Sequence, residues 1–367
     1  MATPIRTAVL GYGFAGRIFH SPFVHAVPGL ELSAIVQRHG EDAAKDYPGT
    51  RILRSVDEAF GDPAIDLIVV ATPNDSHVEM ARRALRAGKH VVIDKPIAGS
   101  SADALELIAL AREQGKLLAP FHNRRFDGDF LTVRKLVSEG KLGRVTLVNA
   151  HFDRFRPIPR PNTWKEAGGA ANGLLFDLGP HLLDQALALF GVPRSITASV
   201  RQERDVTAIE DAFDIVLEFA QTGEGARGIR YECHASMIAA EPAPRFRVNG
   251  TLGSYVKAGL DPQEAALLGG ARPAELGSPA GWLPEAESAW GTLAIAPDPA
   301  EPSKIVRGKV PTEVGDYRQF YANVRDAIRG ETPLVVSPED GYRTIRLLEL
   351  ALESSDRNHT LPVVFAA

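Results

Sequence analysis

Cysteine is almost absent: Cys233 stands alone among 367 residues. One thiol forms no internal disulfide and offers no thiolate cage, and no metal site is expected. No apolar run is long enough to span a bilayer. Positive charge is not in excess, because 41 Lys and Arg face 46 Asp and Glu for a formal net charge of −5. Without a long basic run, that balance argues against a nucleic-acid binder. The first apolar segment starts near Ile5, which leaves no room for the apolar core of a secretory signal. The expectation is a cytoplasmic protein with neither nucleic-acid nor membrane partners. What is present is globular composition, 44% hydrophobic and 24% charged, in a chain long enough for two domains.

Residues Val9 to Gly16 read VLGYGFAG and follow an apolar run directly. This strand–turn–helix pattern cradles a dinucleotide pyrophosphate. Gly11 permits the tight turn, Gly13 lets the backbone approach the phosphates, and Gly16 lets helix and strand pack closely. The helix N-terminus, entered through Phe14 and Ala15, supplies amides and positive dipole.

Residues 1–121 alternate strand-like and helix-like segments. Apolar runs fall at Ile5–Leu10, Leu32–Val36, Leu67–Ala71, His90–Ile93 and Leu117–Phe121, with helical patterns clearest at Ser76–Ala87 and Ala102–Gln114. Asp75 or Ser76 suits a cap for the first helix, and Ser100 or Ser101 for the second. Strands buried on both faces and separated by helices predict a parallel, doubly wound α/β sheet. Pro22 predicts a short or kinked first helix.

Residues 122–367 have a different texture and are read as a second, α+β domain. A helix near Asp129–Glu139 precedes alternating segments at Val145–Arg156, Ser195–Gln202, Ala212–Phe219, Gly228–Met237, Arg245–Lys257 and Lys304–Val310. Their polar–apolar alternation predicts a mostly antiparallel sheet with one face solvated or covered by a partner. Residues 259–300, rich in Pro, Ala and Gly, read as an excursion with little regular structure. Helices return at Asp316–Arg329 and Pro338–Ser354.

Cofactor choice is read at the end of the second strand, where an acid would bind the adenosine ribose hydroxyls. The chain there is Ile35-Val36-Gln37-Arg38-His39, with no carboxylate before Glu41. The missing acid at Gln37, with Arg38 adjacent, favours NADP over NAD.

Three polar clusters carry more than a plain core needs. Thr72-Pro73-Asn74-Asp75-Ser76-His77 follows a buried strand at its carboxyl end, where ligands of open α/β sheets bind; a helix-capping turn would also use Asp75 and Ser76. Asp94-Lys95-Pro96 ends the next strand and places a lysine near the nicotinamide end of a dinucleotide. In the third cluster Pro180 fits the first turn of a helix running to Gly191. Asp177 then lies near the N-cap and His181 four residues on, on the same side. Such a pair can share a proton path to a substrate hydroxyl, although Asp also caps helices and a lone His is often structural.

Together these stretches resemble the Gfo/Idh/MocA family of oxidoreductases. The matching stretches are VLGYGFAGRIFHSPF, ATPNDSHVEMARRALRAGKHVVIDKP and GLLFDLGPHLLDQ, with NGTLGS at Asn249–Ser254 and GDYRQFY at Gly315–Tyr321. GRIFHSPF and HNRRFDGDF are most similar to the NADP-dependent scyllo-inositol dehydrogenase-like branch. Asp94 departs from the glutamate that many members carry before Lys-Pro, and residues 168–173 form a looser lead-in to the Asp-His helix.

The resemblance implies an N-terminal Rossmann domain and a C-terminal open mixed sheet with helices on one face, often used for dimer or tetramer contacts. It implies that Lys95 stabilises alkoxide character at the substrate oxygen, that His181 is the general acid/base, and that Asp177 orients substrate and helps hold His181. It places Asn123, Trp164 and Lys165 near the nicotinamide or the substrate. The expected reaction interconverts a secondary alcohol and a ketone on a cyclic polyol or sugar, with NADP, in a homodimer or homotetramer. A non-sugar substrate such as a trans-dihydrodiol, or a non-catalytic NADP-sensing regulator of the same fold, are the alternatives.

Overall fold

The computed structural model describes residues 3–161, 166, 168–169, 171–220, 228–278, 282–298, 300–301 and 303–366. Largely apolar strands build the first sheet, and β4 and β6 are buried on both faces. Its strands are β1 (Ile5–Leu10), β2 (Leu30–Val36), β3 (Arg51–Leu53), β4 (Leu67–Val70), β5 (His90–Asp94) and β6 (Leu118–Phe121). Their order is β3-β2-β1-β4-β5-β6, and every neighbouring pair is parallel. This is the doubly wound order whose direction reverses between β1 and β4, where ligands bind. All four residues of β4 are buried, each side chain contributing about 1.5–3 kcal/mol.

The intervening helices are α1 (Ser21–Ala26), α2 (Asp42–Asp46), α3 (Val56–Gly61), α4 (His77–Arg86) and α5 (Ser101–Glu113). Ser100 caps α5 by accepting the Asp103 amide, as expected. Helix α4 differs: neither Asp75 nor Ser76 caps it, and a short 3-10 turn, Asn74–Ser76, leads into it. The β3, α2 and α3 elements carry too few residues to show a period. Of the two outcomes expected at Pro22, α1 is short, at six residues, and a π-helical turn over Gly16–His20 runs straight into it. Ser21 N–H bonds the Gly16 carbonyl across that wider turn, just before the proline that lacks an N–H.

The second sheet contains β7 (Val145–His151), β8 (Ser195–Arg201), β9 (Ala212–Phe219), β10 (Ile229–Ser236), β11 (Phe246–Gly250), β12 (Gly253–Lys257), β13 (Gly291–Ile295), β14 (Val306–Val310) and β15 (Leu361–Pro362). The order is β14-β13-β12-β11-β7-β10-β9-β8-β15. Only β7 and β10 pair parallel; the other neighbours are antiparallel. Helices α6 (Gly128–Ser138) and α7 (Leu174–Phe190) pack on one face. Phe213, Ile215, Leu217, Tyr231, Cys233 and Ala235 are buried, while the alternate residues Asp214, Glu218, Arg230 and Glu232 are not. That alternation is the signature of a sheet packed on one side.

Two expectations change here. Arg245–Lys257 is a hairpin of β11 and β12, and Gly250 and Gly253 beside its turn press against the Leu142 and Ala294 carbonyls, where a Cβ has no room. The 259–300 excursion carries α8 (Gln263–Leu268) and strand β13.

The chain forms two compact units. The first comprises residues 1–126, 263–282 and 316–345; the second comprises 127–262, 283–315 and 346–367. The later segments of the first unit include α8, α9 (Arg318–Ile328) and the start of α10 (Pro338–Arg357). Gln263 anchors them: its Oε1 accepts Trp282 Nε1–H and Tyr317 N–H, both at 2.9 Å.

Candidate active site

In the first unit the glycine loop leaves β1. Gly11 has φ +97°, and a Cβ there would lie 2.8 Å from the Ala71 carbonyl oxygen. A Cβ on Gly16 would overlap the Gly11 carbonyl, so close packing fixes that residue too. Gly13 is different: a Cβ there would meet nothing within 4 Å. The fold itself leaves open space for a side chain at this position. Phe14, 55% exposed, and Ala15 follow, opening the helical run whose first amides have no intrahelical acceptor. These features fit a dinucleotide pyrophosphate.

At the end of β2, the Gln37 side chain is buried and its Oε1 accepts the Ala43 amide at 3.0 Å. Arg54, which the sequence did not single out, donates to the Gln37 and Gly40 carbonyls at 3.0 and 2.8 Å and pairs with Glu41. The first carboxylate after the strand is thereby engaged. Arg38 is exposed, with no hydrogen bond or ion pair among the described residues.

The turns after β4 and β5 are tied together by His77. Its buried ring faces the Pro96 carbonyl at 2.8 Å through Nδ1 and the Thr72 carbonyl at 2.9 Å through Nε2. Both ring nitrogens are engaged, which fixes the ring between the two turns. Ser76 Oγ bonds Thr72 Oγ1 and the Pro73 carbonyl, both at 2.7 Å, rather than capping α4. Thr72, Pro73, Asn74 and His77 thus form one turn, and Asp94 and Lys95 lie on the neighbouring strand end.

Asp94 Oδ1 accepts the Lys95 amide at 2.9 Å and lies 3.7 Å from His20 Nε2. Burial pushes the Asp94 carboxyl up, but the His20 contact and the charges of His77 and Lys95 outweigh it and hold the group below the usual carboxylate range. His20 is fully buried and its Nδ1 is 2.6 Å from the Tyr321 hydroxyl. Sequence reasoning gave neither residue a role, although both fall within the stretches GRIFHSPF and GDYRQFY. Asn123 is buried in a 3-10 turn directly after β6.

In the second unit, α7 begins at Leu174, earlier than expected. Gly173, at φ +91°, leaves no space for a Cβ beside the Glu210 carboxyl, and Leu174 N–H bonds the Glu210 carbonyl at 3.0 Å. Asp177 is therefore in the first turn rather than at the N-cap, and Pro180 lies inside the helix. His181 is buried one turn beyond Asp177, its ring centroid 6.2 Å from that of Phe152. Arg154, another residue missed in the sequence, lies 3.7 Å from the Asp177 carboxylate.

Glu210 receives the Leu175 amide, yet burial raises its carboxyl above the ordinary value. Trp164 and Lys165 lie outside the described residues. Glu166 beside them is paired with buried Arg204 at 2.8 Å, and Arg204 also bonds Asp211 at 2.8 Å.

The chain thus joins a Rossmann unit with a glycine-rich turn to a mixed-sheet unit. Residues 5–122 match the oxidoreductase family's NAD-binding Rossmann fold, and residues 134–363 match its C-terminal alpha/beta domain. The chain belongs to the Gfo/Idh/MocA family of oxidoreductases. It is 40% identical to the oxidoreductase YdgJ of Escherichia coli (strain K12), over 98% of this chain and 99% of that one. It is 33% identical to the scyllo-inositol 2-dehydrogenase (NADP(+)) IolW of Bacillus subtilis (strain 168), over 97% and 95% of the two chains. Among solved structures, the oxidoreductase yvaA from Bacillus subtilis superposes with a TM-score of 0.91 at 32% identity, covering 99% of each chain.

Proposed function

We propose that this oxidoreductase uses NADP to interconvert a secondary alcohol and a ketone on a cyclic polyol or sugar. The observation that carries the reading is convergence. The Gly11–Gly16 loop, the Thr72–His77 turn and Asp94–Lys95 all leave the carboxyl ends of adjacent strands β1, β4 and β5. A phosphate-ready turn and an ordered lysine at one sheet edge suit hydride transfer next to an alcohol oxygen. Exposed Arg38 and the absence of a carboxylate at Gln37 favour a 2′-phosphate. The polyol class draws support from the likeness to IolW, whose name gives that substrate and that cofactor.

Gly11, Gly13, Phe14, Ala15 and Gly16 would hold the pyrophosphate, with Arg38 on the adenosine side and Thr72, Pro73, Asn74, His77, Asp94 and Asn123 along the rest. A bound dinucleotide supplies or accepts the hydride. Lys95 stabilises negative charge developing on the substrate oxygen, the kind of interaction that strengthens in the transition state. His181 gives or takes the hydroxyl proton, a role suited to imidazole near neutral pH. Asp177, steadied by Arg154, orients the substrate.

The test is steady-state turnover with NADP and with NAD across inositols, sugars and sugar lactones. The expected result is NADP-linked turnover on a cyclic polyol or sugar. A strong preference for NAD overturns the argument from Gln37 and Arg38. Tight NADPH binding without turnover on any substrate overturns the catalytic reading in favour of a sensor.

A further inference from the structure

We propose that His151, Asp153 and His234 form a divalent transition-metal site, of zinc-binding chemistry, on the face of the second sheet opposite α7. His151 ends β7 and His234 is its register partner on β10, so the two rings project from the same face. Asp153 follows His151 by two residues and returns to that face by strand alternation. Phe152 between them meets His181 on the other side. The site is therefore separate from the proposed proton relay and does not rest on the proposed activity.

One potential ligand atom from each of the three residues lies within 4.8 Å of the others. Asp153 Oδ1 is 3.3 Å from His234 Nε2, and Asp153 Oδ2 is 3.6 Å from His151 Nδ1. Tetrahedral zinc, with bonds of about 2.0–2.1 Å, separates its ligand atoms by roughly 3.3 Å. The carboxylate–imidazole edges already approach that spacing.

Two further observations point to a ligand. The Asp153 side chain is only 4% exposed. Its Oδ2 accepts the Ala243 amide at 3.0 Å, while Oδ1 is buried without a hydrogen-bond partner among the described residues. His151 Nδ1 is buried without one as well. Buried groups left unsatisfied are costly, and two of them within one cluster of potential ligand atoms ask for a common partner. Secondly, His234 Nδ1 lies 2.6 Å from Asp214 Oδ1, and Asp214 is held in turn by Arg201 at 2.7 Å. A carboxylate on the far nitrogen is the arrangement that orients a metal-binding imidazole and leaves Nε2 as the donor.

Two imidazoles and one carboxylate suit zinc and its first-row neighbours better than magnesium or calcium. The His151 and His234 side chains are 21% and 26% exposed in the single chain, so both rings keep an accessible edge. A bound cation would clamp β7 to β10 and fix the segment that carries Arg154.

The experiment is isothermal titration of chelator-treated, full-length protein with Zn²⁺ alone, repeated with Co²⁺ while the visible d–d bands are recorded. One Zn²⁺ per chain is expected, with four-coordinate cobalt spectra. His151→Ala and His234→Ala should each weaken binding about 100-fold or more. Asp214→Asn, which keeps every direct ligand, should weaken it about 10–100-fold, and His181→Ala should leave it intact. Circular dichroism checks that each variant folds, and the native titration stands without them. The proposal is overturned if native protein shows no saturable one-to-one uptake. Uptake undiminished in the His151→Ala/His234→Ala double variant, or lost in His181→Ala, also overturns it.

Discussion

The two sheets hold functional side chains in opposite ways. In the first, the central strands are buried on both faces, β4 through all four of its residues. The cofactor and lysine positions proposed there sit in or beside the turns that leave the carboxyl ends. In the second, one face is covered by helices and the other carries Asp214, Glu218, Arg230, Glu232 and His234. There the proposed catalytic pair stands on a helix, and polar clusters stand on the strands themselves. A doubly covered sheet confines chemistry to its rim; a singly covered one can host it on an open face.

The sharpest test of this contrast takes one residue from each unit. Lys95→Ala and His181→Ala should each lower turnover about 10²–10⁴-fold, while NADPH binding, followed by fluorescence titration, largely survives. Wild-type turnover in purified His181→Ala would remove the acid/base assignment. The next effect is confined to the rim. Gly13→Ala should weaken dinucleotide binding by about tenfold or more without moving the melting temperature of the ligand-free protein, because its Cβ meets no protein atom within 4 Å. Gly16→Ala should lower both. Equal melting losses in the two variants would show that Gly13 serves the fold instead.

A smaller effect is expected at Arg38. Arg38→Ala should raise the NADPH dissociation constant about fivefold, consistent with loss of a contact of about 1 kcal/mol, and leave NADH nearly unchanged. Equal losses for both cofactors would count against a 2′-phosphate contact.

The smallest effects are in the pH dependence of stability and have opposite signs in the two units. Asp94 has a depressed carboxyl pKa. Its contribution is complete above the ordinary carboxylate value, about 3.9, and is lost as pH falls through the lower folded value. Asp94→Asn should therefore narrow the stability difference between neutral and acid pH. Glu210 is raised by burial, so its ionised form disfavours folding above the ordinary glutamate value of about 4.3. Glu210→Gln should be slightly more stable at neutral pH, with the gain fading as pH falls towards 4. Denaturant titrations across pH 3–7 measure both, and a gain for Glu210→Gln that grows in acid would refute the sign.

Legibility followed the same division. Strand β1 and strand β9 match their expected limits, because one ends in the apolar run Ala8-Val9-Leu10 and the other alternates cleanly. Strand β3 spans three residues and leaves no periodic trace. The start of α7 was misplaced because Pro180 is a common first-turn residue, whereas the actual start depends on Gly173 meeting Glu210 from a distant loop. The glycines, Lys95, Asp177 and His181 were visible as local motifs. Their supports were not: His20 finds Tyr321 across 301 positions, and His151 finds His234 only once β7 and β10 pair. Spacing along a chain carries no information about such pairings.

The first unit's three-part construction bears on how this protein could be recombined with its relatives. His20 is bonded to Tyr321, and the Phe121 and Phe320 rings lie 4.8 Å apart, centroid to centroid. A chimera spliced at residue 122 would combine one parent's His20 and Phe121 with another parent's Tyr321 and Phe320. The aromatic pocket behind Asp94 would then be assembled from sequences that had never been fitted to each other. Exchange that keeps residues 263–282 and 316–345 with the N-terminal donor preserves that fit, and the transferable cassette is a discontinuous one.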